Sequence, residues 1–202
     1  MLKLFGHPDS GHAYKVRFFL VAMNIEHDYE PVDIWQPRSS RSAEFQRYAR
    51  YGEVPTLIDD DQSYVQSNAI LLHLARRYTD FSQRPEREQT QAQEWLFWEA
   101  NKLGLCLPQL RSVAKFDDGS INAGAEQWLR ARYEHDINLL GDTLADGRRY
   151  VLGDTVSIAD FSLAGYLFFA DEASVDVPLS VAQWLNNLKA LPGWQHPYEL
   201  MA

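Results

Sequence analysis

The chain has 202 residues, 46% of them hydrophobic and 23% charged, with a formal net charge of −9. That length suits one large domain or two small ones, buries a sizeable core without covalent staples, and has the composition of a folded chain rather than a disordered one. The acid excess argues against nucleic acid or an anionic membrane as a partner, because both demand a cationic face. No apolar run approaches the ~20 residues of a membrane span, and the N-terminus lacks a signal-peptide core. Cys106 is the one cysteine. It admits no internal disulfide and points to a reducing, cytoplasmic setting. Aromatic residues reach 13% of the chain, six of them Trp, an excess that fold and function must explain.

Leu2 to Phe5 reads as a short strand ended by Gly6-His7-Pro8. Asp9-Ser10-Gly11 is turn chemistry that suits a helix start, and Tyr14 to Met23 carries apolar residues at helical spacing. His27 to Ile34 alternates as a second strand, with Pro31 suited to an edge. Ser42 to Tyr51 reads as a short helix closed by Gly52. Val54 to Ile58 and Ser63 to Val65 form a hairpin around Asp59-Asp60-Asp61-Gln62. A helix follows from Ser67 through Tyr78. The order is β-α-β-α-β-β-α over residues 1–79.

Residues 80–87 read as a polar linker, and beyond them no strand pattern recurs. Residues 88–202 read as an all-helical domain. A long stretch from Glu86 to Lys115 carries Trp95, Phe97, Trp98, Leu103, Leu105, Leu107 and Leu110, and Pro108 is expected to kink or divide it. Asp117 to Asn122 reads as a loop. Ala123 to Ala145 is a helix with Trp128, Leu129, Tyr133, Ile137, Leu140 and Leu144 expected on its inner face. Ile158 to Glu172 is apolar enough to be buried on most sides. Ser180 to Leu191 is a last amphipathic helix. Ser157-Ile158-Ala159-Asp160 fits a capping box, in which Ser157 caps the helix and Asp160 reaches back.

Two segments carry candidate chemistry. In Gly52-Glu53-Val54-Pro55-Thr56-Leu57, Pro55 stands at the mouth of a strand. Base rates favour a trans bond there, while a cis bond would expose the Val54 main chain to a ligand. In Gln66-Ser67-Asn68-Ala69-Ile70, Ser67 reads as an N-cap at a helix start that attracts a carboxylate. Capping alone is the other reading. The six His are scattered without a metal-binding spacing, and no nucleotide-binding glycine motif occurs.

Together, the β-α-β-α-β-β-α order, the Val-Pro-Thr-Leu strand and the Gln-Ser-x-Ala-Ile helix start resemble the thioredoxin-like domain of the cytosolic glutathione transferases. The helical second half resembles what that family carries next. The resemblance implies an α/β thioredoxin-like N-terminal domain followed by an all-α C-terminal bundle. It implies that Val54, before Pro55, pairs its main chain with the cysteinyl backbone of reduced glutathione, and that Gln66 and Ser67 hold the γ-glutamyl end. Ser10-Gly11-His12-Ala13-Tyr14-Lys15-Val16-Arg17 resembles the serine-type, zeta-like site of the family. Ser10 is then the catalytic position, donating a hydrogen bond to the glutathione sulfur, with His12 as the alternative and Tyr14 a weaker rival. The departures are Ala49-Arg50-Tyr51-Gly52, where many members read Asn-Pro-x-Gly, and Ser10-Gly11-His12, where the zeta class reads Ser-Ser-Cys.

By the same resemblance Leu103, Cys106 and Leu107 fall on a helix that lines the pocket of an apolar electrophile, although a core cysteine is the plainer reading of Cys106. The expected activity is conjugation of reduced glutathione, as co-substrate, to that electrophile by a homodimer that needs no metal. A glutathione-dependent isomerase or peroxidase, or a non-enzymatic binding module of the same fold, is the alternative.

Overall fold

The computed structural model describes residues 2–116 and 122–202, so the loop expected over Asp117–Asn122 lies almost wholly outside the described residues. The chain forms two compact units, Met1–Arg84 with Leu191–Ala202, and Pro85–Ala190. The first unit runs β1 (Leu2–Gly6), α1 (Gly11–Ala22), β2 (Asp28–Pro31), α2 (Ala43–Tyr48), β3 (Thr56–Asp59), β4 (Gln62–Val65) and α3 (Ser67–Tyr78). Its sheet has the order β2-β1-β3-β4, with β1 and β2 parallel and the other pairs antiparallel. This is the thioredoxin-like arrangement expected from the sequence.

The pleat divides the strand residues between two covered faces. Phe5 and Ile58 point to one side, where they cluster with Val32, Phe45 and Ala49. The Phe5 and Phe45 rings meet edge-on at 5.5 Å. Leu4 and Leu57 are paired across the ladder, are both fully buried and point to the other side. There Asp59 receives hydrogen bonds from His73 and Tyr78 of α3. Leu2, Leu4 and Phe5 of β1 are buried between these faces, and Lys3 interrupts the run to pair with Glu30 and Glu44.

The second unit is helical: α4 (Glu86–Asn101), α5 (Leu103–Phe116), α6 (Ala123–Leu144), α7 (Ile158–Leu167) and α8 (Leu179–Lys189). The expected division at Pro108 falls instead at Lys102, whose φ of −121° and ψ of −97° leave the helical region. Pro108 lies inside α5. Two residues after Lys102, Gly104 lies so close to Glu99 that an added Cβ would come within 2.7 Å of its Oε1, so this approach requires glycine. The helix expected over Ile158–Glu172 ends at Leu167 and gives way to turns.

Trp128 is also off the face expected for it. Leu129, Tyr133, Ile137, Leu140 and Leu144 are buried, while Trp128 is 53% exposed. The buried residues repeat at intervals of three and four, and Trp128 stands about 100° from Leu129 around the helix. The Arg132 guanidinium covers its ring at 5.3 Å. Phe97 is likewise exposed.

The box at the start of α7 is present. Asp160 Oδ2 accepts from Ser157 N–H at 2.8 Å and from Ser157 Oγ at 2.9 Å. Its Oδ1 accepts from Val151 N–H at 2.8 Å and Trp184 Nε1 at 2.9 Å. Burial pushes the Asp160 carboxyl up, against the pull of these four bonds. Nine of the ten α7 residues are buried, so Asp160 needs this full set of donors.

The final segment returns to the first unit and closes with α9 (Pro197–Leu200). No sequence pattern announced this return. It is held by Tyr14 Oη donating to Gln195 O at 3.2 Å and Tyr29 Oη donating to Met201 O at 3.1 Å.

Candidate functional site

The register of the sheet gathers the candidate residues. Phe5 pairs with Thr56, and Thr56 pairs with Val65. The three positions therefore lie in a row across β1, β3 and β4, with strands about 4.8 Å apart. Just beyond that row, at one end of the sheet, lie the loop after β1 with Ser10, the turn before β3 with Val54-Pro55, and the step from β4 into α3 with Gln66-Ser67. Helices α1 and α3 both begin there. Neither has an acidic residue in its first turn, so the positive ends of two helix dipoles meet at this end without a fixed countercharge on either first turn.

Ser10 is the N-cap of α1, with φ −99° and ψ 101°. Its Oγ accepts from Ala13 N–H at 3.1 Å, and its own N–H donates to His7 O at 3.0 Å. The cap uses a lone pair of the hydroxyl and leaves its hydrogen. That hydrogen has no acceptor among the described residues. Capping and donation to a ligand, weighed as alternatives from sequence, are compatible in this geometry. His12 follows in the first turn of α1 and is partly buried. Tyr14 is fully buried with its hydroxyl committed to Gln195, and burial pushes its phenol above the ordinary value. It is a core residue.

The Val54-Pro55 bond is cis, not the trans form that base rates favour. Val54 N–H and C=O have no hydrogen-bond partner among the described residues, and the residue is partly exposed. An extended ligand backbone can therefore pair with it as a strand would. The turn before it is tied down from two directions. Thr56 Oγ1 donates to Glu53 O at 2.9 Å. Arg41 Nη1 donates to Gly52 O at 2.7 Å, while its Nη2 reaches Ile34 O at 3.2 Å. Arg41 carried no signal in the sequence, because its partners are carbonyls brought together by folding.

Ser67 is the first residue of α3 rather than its cap. The cap position belongs to Gln66, whose φ of +71° is unusual for a residue other than glycine and whose side chain makes no capping bond. A helix start without a side-chain cap is a ready site for a carboxylate. Positive φ at a non-glycine residue concentrates where a ligand is bound.

The remaining candidates lie elsewhere. Leu103, Cys106 and Leu107 are buried on α5. Burial is the main cause that pushes the Cys106 thiol up, with the Asp136 charge next. Ser157 and Asp160 form the structural box of α7. Trp35 is 60% exposed, its ring edge-on to His7 at 6.4 Å. Among the described residues no cluster of three His, Cys, Asp or Glu could hold a metal, and no helix is long and apolar enough to cross a membrane.

Comparison with known proteins gives two family matches. Residues 1–76 match the glutathione S-transferase N-terminal domain, and residues 88–199 match the glutathione S-transferase C-terminal domain. Glutathione S-transferase Z2 of Arabidopsis thaliana is 24% identical over 200 residues, covering 96% of this chain and 89% of the relative. The disulfide-bond oxidoreductase YfcG of Escherichia coli is 23% identical over 201 residues, covering 95% and 92%. A glutathione S-transferase crystal structure from Xanthobacter autotrophicus superposes with a TM-score of 0.82 at 25% identity, covering 96% of both chains.

Proposed function

The chain belongs to the glutathione S-transferase family, and from that premise we propose that it conjugates reduced glutathione to an apolar electrophile, with Ser10 stabilising the reactive thiolate. In this reading the γ-glutamyl carboxylate lies at the uncapped start of α3, on Gln66 and Ser67. The cysteinyl backbone pairs with Val54 N–H and C=O. The sulfur then lies at the start of α1.

The observation that carries the reading is the spare hydroxyl hydrogen of Ser10 at a helix N-terminus. A free thiol titrates near ~8.5. A hydrogen bond to sulfur and the positive helix end both favour the thiolate, which is the nucleophile. Ser10 keeps its proton throughout: it donates a hydrogen bond and forms no covalent bond. The thiolate attacks the electrophilic carbon, forming the thioether bond by addition or by displacing a leaving group. Holding both reactants together adds the proximity effect. Cytoplasmic residence, homodimer formation and a detoxifying role belong to the same proposal.

Retention on immobilised glutathione, followed by conjugation assays with a panel of electrophiles, tests the reading. Full activity in both Ser10→Ala and His12→Ala proteins would overturn it. Disulfide reduction is the rival suggested by the relationship to YfcG. With Cys106 buried, that reaction would have to run on the thiol of glutathione. A peroxide and disulfide arm of the panel separates it from conjugation.

A further inference from the structure

The last segment of the chain reaches the loop that carries Ser10. Tyr198 Oη, on α9, donates to Asp9 Oδ1 at 3.0 Å. Asp9 N–H donates to His7 Nδ1 at 3.0 Å, and Ser10 N–H donates to His7 O at 3.0 Å. The loop His7–Ser10 is thus fixed internally by His7 and externally by Tyr198. The segment bearing Tyr198 is itself docked by the bonds from Tyr14 and Tyr29, and Met201 packs so closely on Gly6 that an added Cβ would lie 2.7 Å from Met201 Cε.

Asp9 immediately precedes the cap of α1, so its carboxylate is a rival anion at the helix end where the thiolate would be bound. A carboxylate beside a helix N-terminus is drawn to that positive end. A second anion there raises the pKa of the first. The phenol of Tyr198 gives the carboxylate another partner. Resting on the proposed function, we propose that Tyr198 is a positioning residue for the thiolate site, holding the Asp9 carboxylate on α9 and off the N-terminus of α1. Tyr198 touches neither glutathione nor electrophile in this scheme. It acts through Asp9.

Titratable groups near this pair include His7, with Nδ1 3.9 Å from Asp9 Oδ2, and His196, stacked on Tyr198 at 5.6 Å, while His12 lies in the first turn of α1.

The test is the pH dependence of the thiolate absorbance of bound glutathione, together with kcat/KM for conjugation. Tyr198→Phe should move both profiles to higher pH by roughly 0.5–1 unit, with KM for glutathione within about twofold of wild type. Asp9→Glu keeps the charge but moves it off the phenol. It should show the same alkaline shift, and it does so with α9 intact even if Tyr198→Phe proves unstable. Asp9→Asn keeps an acceptor oxygen and loses the charge, so it should not shift to higher pH, and it should abolish the shift of Tyr198→Phe in the double variant.

A shift that survives in the double variant overturns the inference, because the phenol is then merely structural. Ser10→Ala in the same series separates two failures. An alkaline shift in Ser10→Ala, with Tyr198→Phe and Asp9→Glu on the wild-type curve, overturns the Tyr198 inference alone. All three on the wild-type curve would overturn the Ser10 reading as well.

Discussion

Ser10 and Ser157 are N-caps of two buried helices, exposed by 7% and 6%, and each hydroxyl accepts from an amide of its own first turn. They differ in the hydrogen. Ser157 donates its own to Asp160 Oδ2, whereas Ser10 has no acceptor among the described residues. The same contrast runs through the neighbourhoods of the two caps. Asp160 receives four hydrogen bonds. At the sheet end, Val54 N–H and C=O are unpaired and α3 starts without a side-chain cap. The spare hydroxyl of Ser10, the open main chain of partly exposed Val54 and the start of α3 without a side-chain cap are the free hydrogen-bonding groups on which the proposed glutathione site rests, whereas the saturated cap of α7 is satisfied within the fold, as buried polar groups generally are.

The strongest way to break this contrast is at Asp160. Asp160→Ala strands the donors of Val151, Ser157 and Trp184 in a site with no access to water. At about 1–3 kcal/mol for each buried unsatisfied group, partly relieved by relaxation, the expected loss is about 3–5 kcal/mol. Denaturant unfolding reads it directly. Activity per folded molecule should stay near wild type, and a catalytic loss without loss of stability would refute the assignment.

Substituting the two serines in parallel sharpens the contrast further. Ser10→Ala should lower kcat/KM for conjugation by about 10²-fold, the size expected for removing one donor from a developing or bound anion. It should cost only about 1 kcal/mol of stability as a lost cap. Ser157→Ala should do the reverse, costing about 1–2 kcal/mol while leaving kcat/KM unchanged. Equal kinetic effects from the two substitutions would remove the distinction between a spent and a spare hydroxyl.

How far each half of this contrast could be read from the sequence follows from how local its parts are. Ser157 and Asp160 are three residues apart on one turn, so the capping box is written in the chain. The other donors to Asp160, Val151 N–H and Trp184 Nε1, arrive through tertiary packing, and no spacing announces them. The order of strands and helices was legible because β1 and β3 carry short apolar stretches, the helices repeat apolar residues at their own spacing, and turn residues stand between them. The break at Lys102 was not, because Pro108 is the louder local signal and no residue pattern marks Lys102. At the site, Ser10, Val54, Gln66 and Ser67 were found through their resemblance to a family pattern. The cis bond at Pro55 and the positive φ of Gln66 are conformations that a sequence allows without specifying. Tyr198 was invisible for the plainest reason, since its partner Asp9 lies at the other end of the chain.

The smallest expected effect concerns the one thiol of the chain. Cys106 is fully buried on α5, and burial raises its pKa, so little of it is thiolate at neutral pH. In the proposed reaction, the reactive thiol is brought in by glutathione and is made acidic at the sheet end. The two sulfurs are thus placed in opposite electrostatic environments, one desolvated and protonated, the other held at a helix N-terminus and ionised. Cys106→Ala should therefore leave kcat/KM within about twofold of wild type and lower stability by roughly 1 kcal/mol through the small cavity it opens. Alkylation of Cys106 by iodoacetamide should be slow in the folded protein and fast in denaturant. Rapid alkylation of the folded protein with matching loss of activity would place a working thiol in the helical unit, and the division of labour between the two regions would fail there.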